Sequence, residues 1–197
     1  MKWLRRAGTA FCLTGVLLLG GALATIVKSR VYQARQERAF LAMERTARAA
    51  PAPPSAPAAA PGVDPLVLGR IDIPRVGVSA IVREGDDAGT LSIAVGHIPG
   101  TARPGERGNV ALAGHRDSFF RALRDIRAGD VIRLRVPGRG DEYRVDSTEV
   151  VGADETRVLA SSRDAVLTLV TCYPFTWVGQ APRRFVVHAR LLLRAPP

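Results

Sequence analysis

Residues 7–27 constrain this chain more than any other stretch: 21 consecutive positions carry no charged side chain. At about 1.5 Å of rise per residue, a helix of that length is ~30 Å long, the thickness of a bilayer's hydrocarbon core. The run therefore reads as a lipid-embedded start rather than as part of a globular core. Two readings of its fate stand side by side. One is a signal peptide cut after Ala22-Leu23-Ala24, which has the small-x-small form of a cleavage site. The other is an uncleaved signal anchor over residues 1–28, favoured because Thr25, Ile26 and Val27 carry the apolar run past that site. Lys2, Arg5 and Arg6 precede the run and Lys28, Arg30, Arg35 and Arg38 come after it, so basic residues on both flanks leave its orientation open. Its early position favours export of the domain C-terminal to it.

Charge separates the chain the same way. Residues 1–50 hold nine Lys/Arg against two Glu, or +7, and residues 51–197 hold nineteen Arg against sixteen acids, or +3, giving the overall +10. The excess sits beside the apolar run, where basic side chains meet anionic headgroups. The remainder is a mixed-sign surface without an aromatic-interleaved basic stripe, which argues against a nucleic-acid partner. Residues 29–50 are rich in Ala, Arg, Gln and Glu and predict a helix with a partial apolar face of Tyr32, Phe40, Leu41 and Met43. Residues 51–61 (PAPPSAPAAAP) predict a linker, able to extend ~34 Å if polyproline-like, so residues 29–61 read as a helical stalk and linker, with packing of that helix on the domain as the alternative.

Residues 62–197 then make one domain, large enough for a single core. Short apolar, β-branched runs at 67–73, 78–83, 109–114, 131–136, 142–151, 165–171 and 184–193 predict strands, with helical turns at 86–94, 118–123 and 154–160. A turn at 137–141 joins two of these strands as a hairpin. Many short strands with few helices indicate a barrel or a sandwich.

Only two cysteines occur, and Cys12 lies inside the apolar run. The domain thus has one thiol, no disulfide framework and no zinc-ligand set. Cys172 directly follows the strand at 165–171, and Pro174 removes a backbone donor just beyond it. A free cysteine is more often a small buried hydrophobe than a nucleophile, so its surroundings decide. A thiol needs an imidazole or cation beside it to act as thiolate near neutral pH. Three histidines exist. His115, after Gly114, stands like Cys172 where a strand meets a loop, and is the better partner. His97 lies in an expected turn and reads as structural, and His188 falls inside the last strand. Arg183 and Arg184 open that strand. If Arg184 faces the thiol from a neighbouring strand, its guanidinium can stabilise a thiolate or an oxyanion.

Three segments, Leu-Ala-Gly-His115-Arg-Asp, Thr168-Leu-Val-Thr-Cys172-Tyr-Pro-Phe and Ala181-Pro-Arg-Arg184-Phe-Val-Val, together resemble the signature stretches of the sortases, most closely the class D group. The resemblance spans about residues 66–193. It implies an eight-stranded sortase-type β-barrel with short helices, preceded by an N-terminal transmembrane helix and stalk. It also implies cysteine transpeptidation: Cys172 attacks a Leu-Pro-x-Thr-like C-terminal sorting signal of a secreted protein. The thioacyl-enzyme then passes to an amine acceptor, either a cell-wall peptide or a protein lysine. His115 would be the acid/base and Arg184 the stabilising cation, with Arg183 a lesser candidate. Thr171, Phe175, Trp177 and Val178 would contact substrate, the last three as an apolar wall or, equally, as a cap on the core. No cofactor or metal is implied, since Glu84, Asp86 and Asp87 make too loose a group for calcium. The implied location is the cell membrane, single-pass, with the catalytic domain on its extracytoplasmic face. The rival readings are a hydrolytic cysteine peptidase and a catalytically inactive surface-binding domain.

Overall fold

The computed structural model describes residues 2–49 and 64–194. The expected linker at 51–61 lies outside them. Helix α1 (Lys2–Ala49) is continuous. Eight strands come after it: β1 (Val67–Ile73), β2 (Val78–Glu84), β3 (Val95–His97), β4 (Asn109–Ala113), β5 (Val131–Val136), β6 (Arg139–Gly152), β7 (Val166–Tyr173) and β8 (Arg183–Arg194). A short helix, α2 (Ala88–Ile93), precedes β3, and 3-10 turns fall at Pro74–Val76, Arg121–Asp125 and Arg157–Leu159. The strands close into a barrel in the order β1-β2-β3-β4-β7-β8-β6-β5, with β5 returning to β1. The pairs β2–β3 and β4–β7 are parallel and the others antiparallel.

The alternation of each strand explains the closure. Ile71 and Ile73, Ile132 and Leu134, Tyr143 and Val145, and Leu167 and Leu169 point inward and are buried. Closing the sheet gives every strand a neighbour on both sides. Three details depart from the sequence expectation. β7 runs on through Cys172 and Tyr173, so Cys172 lies within the strand rather than just after it, because β8 continues the ladder to Arg183. His97 ends a strand rather than sitting in a turn, because its three-residue strand is completed by pairing with β2 on one side and β4 on the other. The hairpin turn is shorter than 137–141. Arg139 and Asp141 already belong to β6, held by an ion pair of 3.0 Å on an otherwise polar stretch.

The outer face of the barrel is treated differently on its two sides. Over β1 and β2 it is covered by α1, which buries Phe40 to 1 % exposure. Over β7 and β8 the 153–165 connection lies across one half, burying Val158 against Val151 and Val186. Asn109 fixes that connection, donating from Nδ2 to the carbonyls of Val158 and Ala160 (both 3.0 Å) while its Oδ1 accepts from Thr168 Oγ1 at 2.8 Å. The other half of that face stays open.

Candidate active site

Register places the three chemical groups. In the antiparallel β7–β8 ladder Cys172 is the direct partner of Arg184, so their side chains share the outer face. Directly opposed residues have Cβ atoms ~4.5–5.5 Å apart. In the parallel β4–β7 ladder Ala113 is matched to Val170, and His115 lies as far beyond Ala113 as Cys172 lies beyond Val170. Two hydrogen bonds carry that match past the end of β4. The Gly114 amide donates to the Val170 carbonyl at 3.1 Å, and Thr171 Oγ1 donates to the Gly114 carbonyl at 2.7 Å. The position also needs glycine. A Cβ on Gly114 would stand 2.7 Å from the ring of the buried Phe120.

Cys172, His115 and Arg184 together line two adjoining clefts. One, of about 340 Å³, is walled by Leu91 of α2, Ile98, Val170, Val158 and Leu159, and is mostly apolar. The other, of about 490 Å³, is mixed in character and includes the charged and amide side chains of Arg116, Asp117, Asp154 and Gln180. The three groups thus form the divide between a mostly apolar approach and one that carries charged and amide side chains. Cys172 is half-buried and free. His115 is half-buried, and among the described residues it is the histidine whose ring has no hydrogen-bond or ion-pair partner. His97, by contrast, is 2 % exposed, with Nδ1 3.1 Å from Glu84 Oε1 and Nε2 3.0 Å from the Ala102 carbonyl. His188 is tied to Glu149 Oε1 at 2.8 Å. Arg184 is steadied through Nη1, which donates to the carbonyls of Ala181 (3.1 Å) and Arg183 (3.0 Å). The other edge of its fork remains for a ligand. Arg183 is exposed, opposite Tyr173. A nucleophile, an acid/base and a cation about one point can support acyl transfer through a tetrahedral intermediate.

Of the four expected substrate contacts, Thr171 lines the apolar cleft, whereas Phe175, Trp177 and Val178 line neither. Thr171 is 3 % exposed, and its hydroxyl is spent on Gly114. Phe175 packs against the barrel core and meets Tyr173 and Phe185 edge-on, with ring centroids 6.0 and 5.3 Å away. Trp177 and Val178 line neither cleft; Trp177 Nε1 donates to the Gln180 carbonyl at 2.9 Å and Val178 is 94 % exposed. Two features escaped the sequence reading. The apolar wall is assembled from separate segments of the chain and leaves no local pattern. Arg116, next to His115, straps the β7–β8 loop by donating Nη2 to the carbonyls of Trp177 (2.7 Å) and Gly179 (3.0 Å). Two of the three carboxylates considered for calcium have other partners. Asp87 caps α2 by accepting from the Gly89 and Thr90 amides, and Glu84 pairs with His97 and Arg103. Among the described residues no three His, Cys, Asp or Glu side chains form a metal-binding group.

A family model described as Sortase domain matches residues 71–192. The chain is 34 % identical over 123 residues to Sortase D of Bacillus subtilis, covering 62 % of this chain and 62 % of that protein. It is 31 % identical over 129 residues to Sortase A of Listeria monocytogenes, covering 64 % and 56 %. It therefore spans less than two thirds of the length of these curated relatives. The solved structure of Listeria monocytogenes sortase A is similar at a TM-score of 0.61 and 28 % identity, over 67 % of this chain and 91 % of that one.

Proposed function

Since this chain belongs to the sortase family, we propose that it is a membrane-anchored cysteine transpeptidase working from the outer surface of the membrane. The observation that carries the proposal is the convergence of Cys172, His115 and Arg184, from three different segments, on one divide between two clefts. The Cys172 thiolate attacks the carbonyl carbon of the Thr–x amide in a Leu-Pro-x-Thr-like C-terminal signal. The oxyanion that forms is stabilised by the free edge of the Arg184 guanidinium, a planar donor pair matched to it. The tetrahedral intermediate collapses as His115 protonates the departing amine, leaving the acyl group on sulfur. An incoming amine, deprotonated by His115, then attacks the thioester and restores the thiolate, with a new amide as product.

The two clefts suit the two halves of that reaction. The apolar one, between Leu91, Ile98 and Leu159, offers the burial a leucine–proline pair needs, and the mixed one leaves room for the amines to depart and arrive. Gly114 and Thr171 act as positioning residues, since their hydrogen bonds hold the His115 loop against the end of β7. Helix α1 is long and apolar enough to cross a membrane, and its apolar stretch is unburied by the barrel, which supports the anchored location.

Mass spectrometry of the full chain incubated with Leu-Pro-x-Thr-x peptides and candidate amines tests the proposal. The expected result is an acyl fragment on Cys172 and, with an amine present, the amide product. Absence of the adduct would overturn the enzymatic reading. Adduct that yields only free acid, whatever amine is supplied, would make the protein a hydrolase instead.

A further inference from the structure

The contacts between α1 and the barrel are ordered along the helix, and that order fixes how the barrel stands relative to the anchor. Tyr32 Oη donates to Asp64 Oδ2 at 2.8 Å. The Gln33 amide bridges α2 and β2, donating to the Ile93 carbonyl at 2.6 Å and accepting from the Ile81 amide at 2.8 Å. Higher on the helix Glu37 pairs with Arg70 of β1, and Glu44 lies 3.5 Å from Arg135 of β5. From Gln33 to Glu44 a helix rises ~17 Å. The foot of the barrel is therefore the side with α2 and β2, and the β5 side is the top.

The exposed apolar run ends at Val27, which a helix places ~9 Å below Gln33, close to the ~5–8 Å depth of one headgroup layer. An open groove of about 730 Å³ lies at this level. Ala24, Val27 and Val31 give it an apolar floor along one helix face, and Lys28 and Arg35 give it a cationic collar beside Asp64. An apolar stripe with basic side chains beside it, at the level where the uncharged run ends, is the complement of a lipid with an anionic headgroup.

We propose that α1 seats the barrel directly on anionic phospholipid, with α2 at the headgroups and β5 well above them. The inference rests on reading α1 as the membrane anchor, and of the two roles that the sequence leaves open for residues 29–50 it takes packing on the domain rather than a free stalk. Its consequence reaches the active site through α2. Ile93 at one end of that helix is held by Gln33, while Leu91 walls the apolar cleft beside Cys172. The cleft is thereby fixed about one helix diameter, ~10 Å, from the anchor.

The test uses the full chain in phosphatidylglycerol/phosphatidylcholine vesicles, with Cys12→Ser and Cys172→Ala removing the native thiols. Ser92→Cys on α2 and Arg133→Cys on β5, both exposed positions, receive a fluorophore in separate samples, and lipids bearing a headgroup nitroxide are the quencher. Quenching several-fold stronger at position 92 than at 133 is expected. The difference should shrink when Gln33→Ala and Phe40→Ala are added, or when phosphatidylcholine alone is used. Equal quenching at both positions in protein that floats with the vesicles would overturn the seated barrel and leave the anchor intact. Protein that does not float with them would overturn the anchor reading itself. A difference unchanged in pure phosphatidylcholine would overturn the anionic-lipid assignment.

Discussion

His97 and His115 stand at the ends of neighbouring strands of one antiparallel pair, and the barrel uses them in opposite ways. His97 is buried and bonded at both ring nitrogens, to Glu84 on one side and to the Ala102 carbonyl and Thr101 hydroxyl on the other. It ties β3 to β2 and to the loop after it, and no proton site is left for a substrate. His115 has a pinned backbone and an uncommitted ring, with Gly114 held by Val170 and Thr171 and crowded by Phe120. A saturated imidazole stabilises a fold; one with a fixed backbone and free nitrogens is positioned to move protons. The same difference separates the side of the barrel closed by α1 from the side left open beside β7.

The sharpest way to break this contrast is to remove each ring in turn. His115→Ala should lower peptide turnover by about 10³-fold or more, since acid–base assistance is lost, with an unchanged melting temperature. Steady-state kinetics and thermal denaturation on one preparation would check it, and a large loss of stability would erase the distinction. Arg184→Lys tests whether the cation opposite Cys172 works by shape as well as charge. A turnover loss of about 10²-fold is expected, because an ammonium cannot present a planar pair of donors. Near-wild-type kinetics would remove Arg184 from the chemistry.

His97→Ala should show the reverse pattern. Stranding buried partners costs about 1–3 kcal/mol, visible in a denaturant titration, while turnover per folded molecule stays close to wild type. The smallest effect is a control on an ion pair in which neither histidine takes part. The Arg75 guanidinium hydrogen-bonded to Asp130 holds that carboxyl below the usual carboxylate range. A carboxylate with a depressed folded pKa contributes stability above its unfolded value, near 4, and loses it as pH falls through the folded one. Asp130→Asn should therefore be less stable than wild type at pH 7, and the gap should close below about pH 4. A gap that persists at low pH would show that packing, not charge, made the contribution.

Much of this site was legible because its groups sit at strand ends, and strands announce themselves by alternation. The run 165–171 followed by Cys172 and Pro174, the run 109–114 followed by His115, and Arg184 before an apolar strand are local patterns that survive without a structure. The short strand at 95–97 was not legible. Three residues carry no periodicity, and this strand exists only because β2 and β4 supply its hydrogen bonds. The apolar cleft was missed for a related reason. Leu91, Ile98 and Leu159 are scattered through a turn-rich sequence, and Trp177 and Val178, nearer to Cys172 along the chain, suggested a wall that the loop does not present to either cleft.

By itself the sequence determined what depends on neighbours along the chain: an apolar helix at the start, inward-facing alternation, one usable thiol and the residue types around it. The tertiary structure decided what depends on register and coverage. It set Arg184 opposite Cys172, left the His115 ring open while closing that of His97, and folded the second half of α1 onto β1 and β2. The physical reason is that periodicity records which face of an element is apolar, whereas the partner meeting that face is chosen by long-range pairing, which no short stretch of sequence encodes.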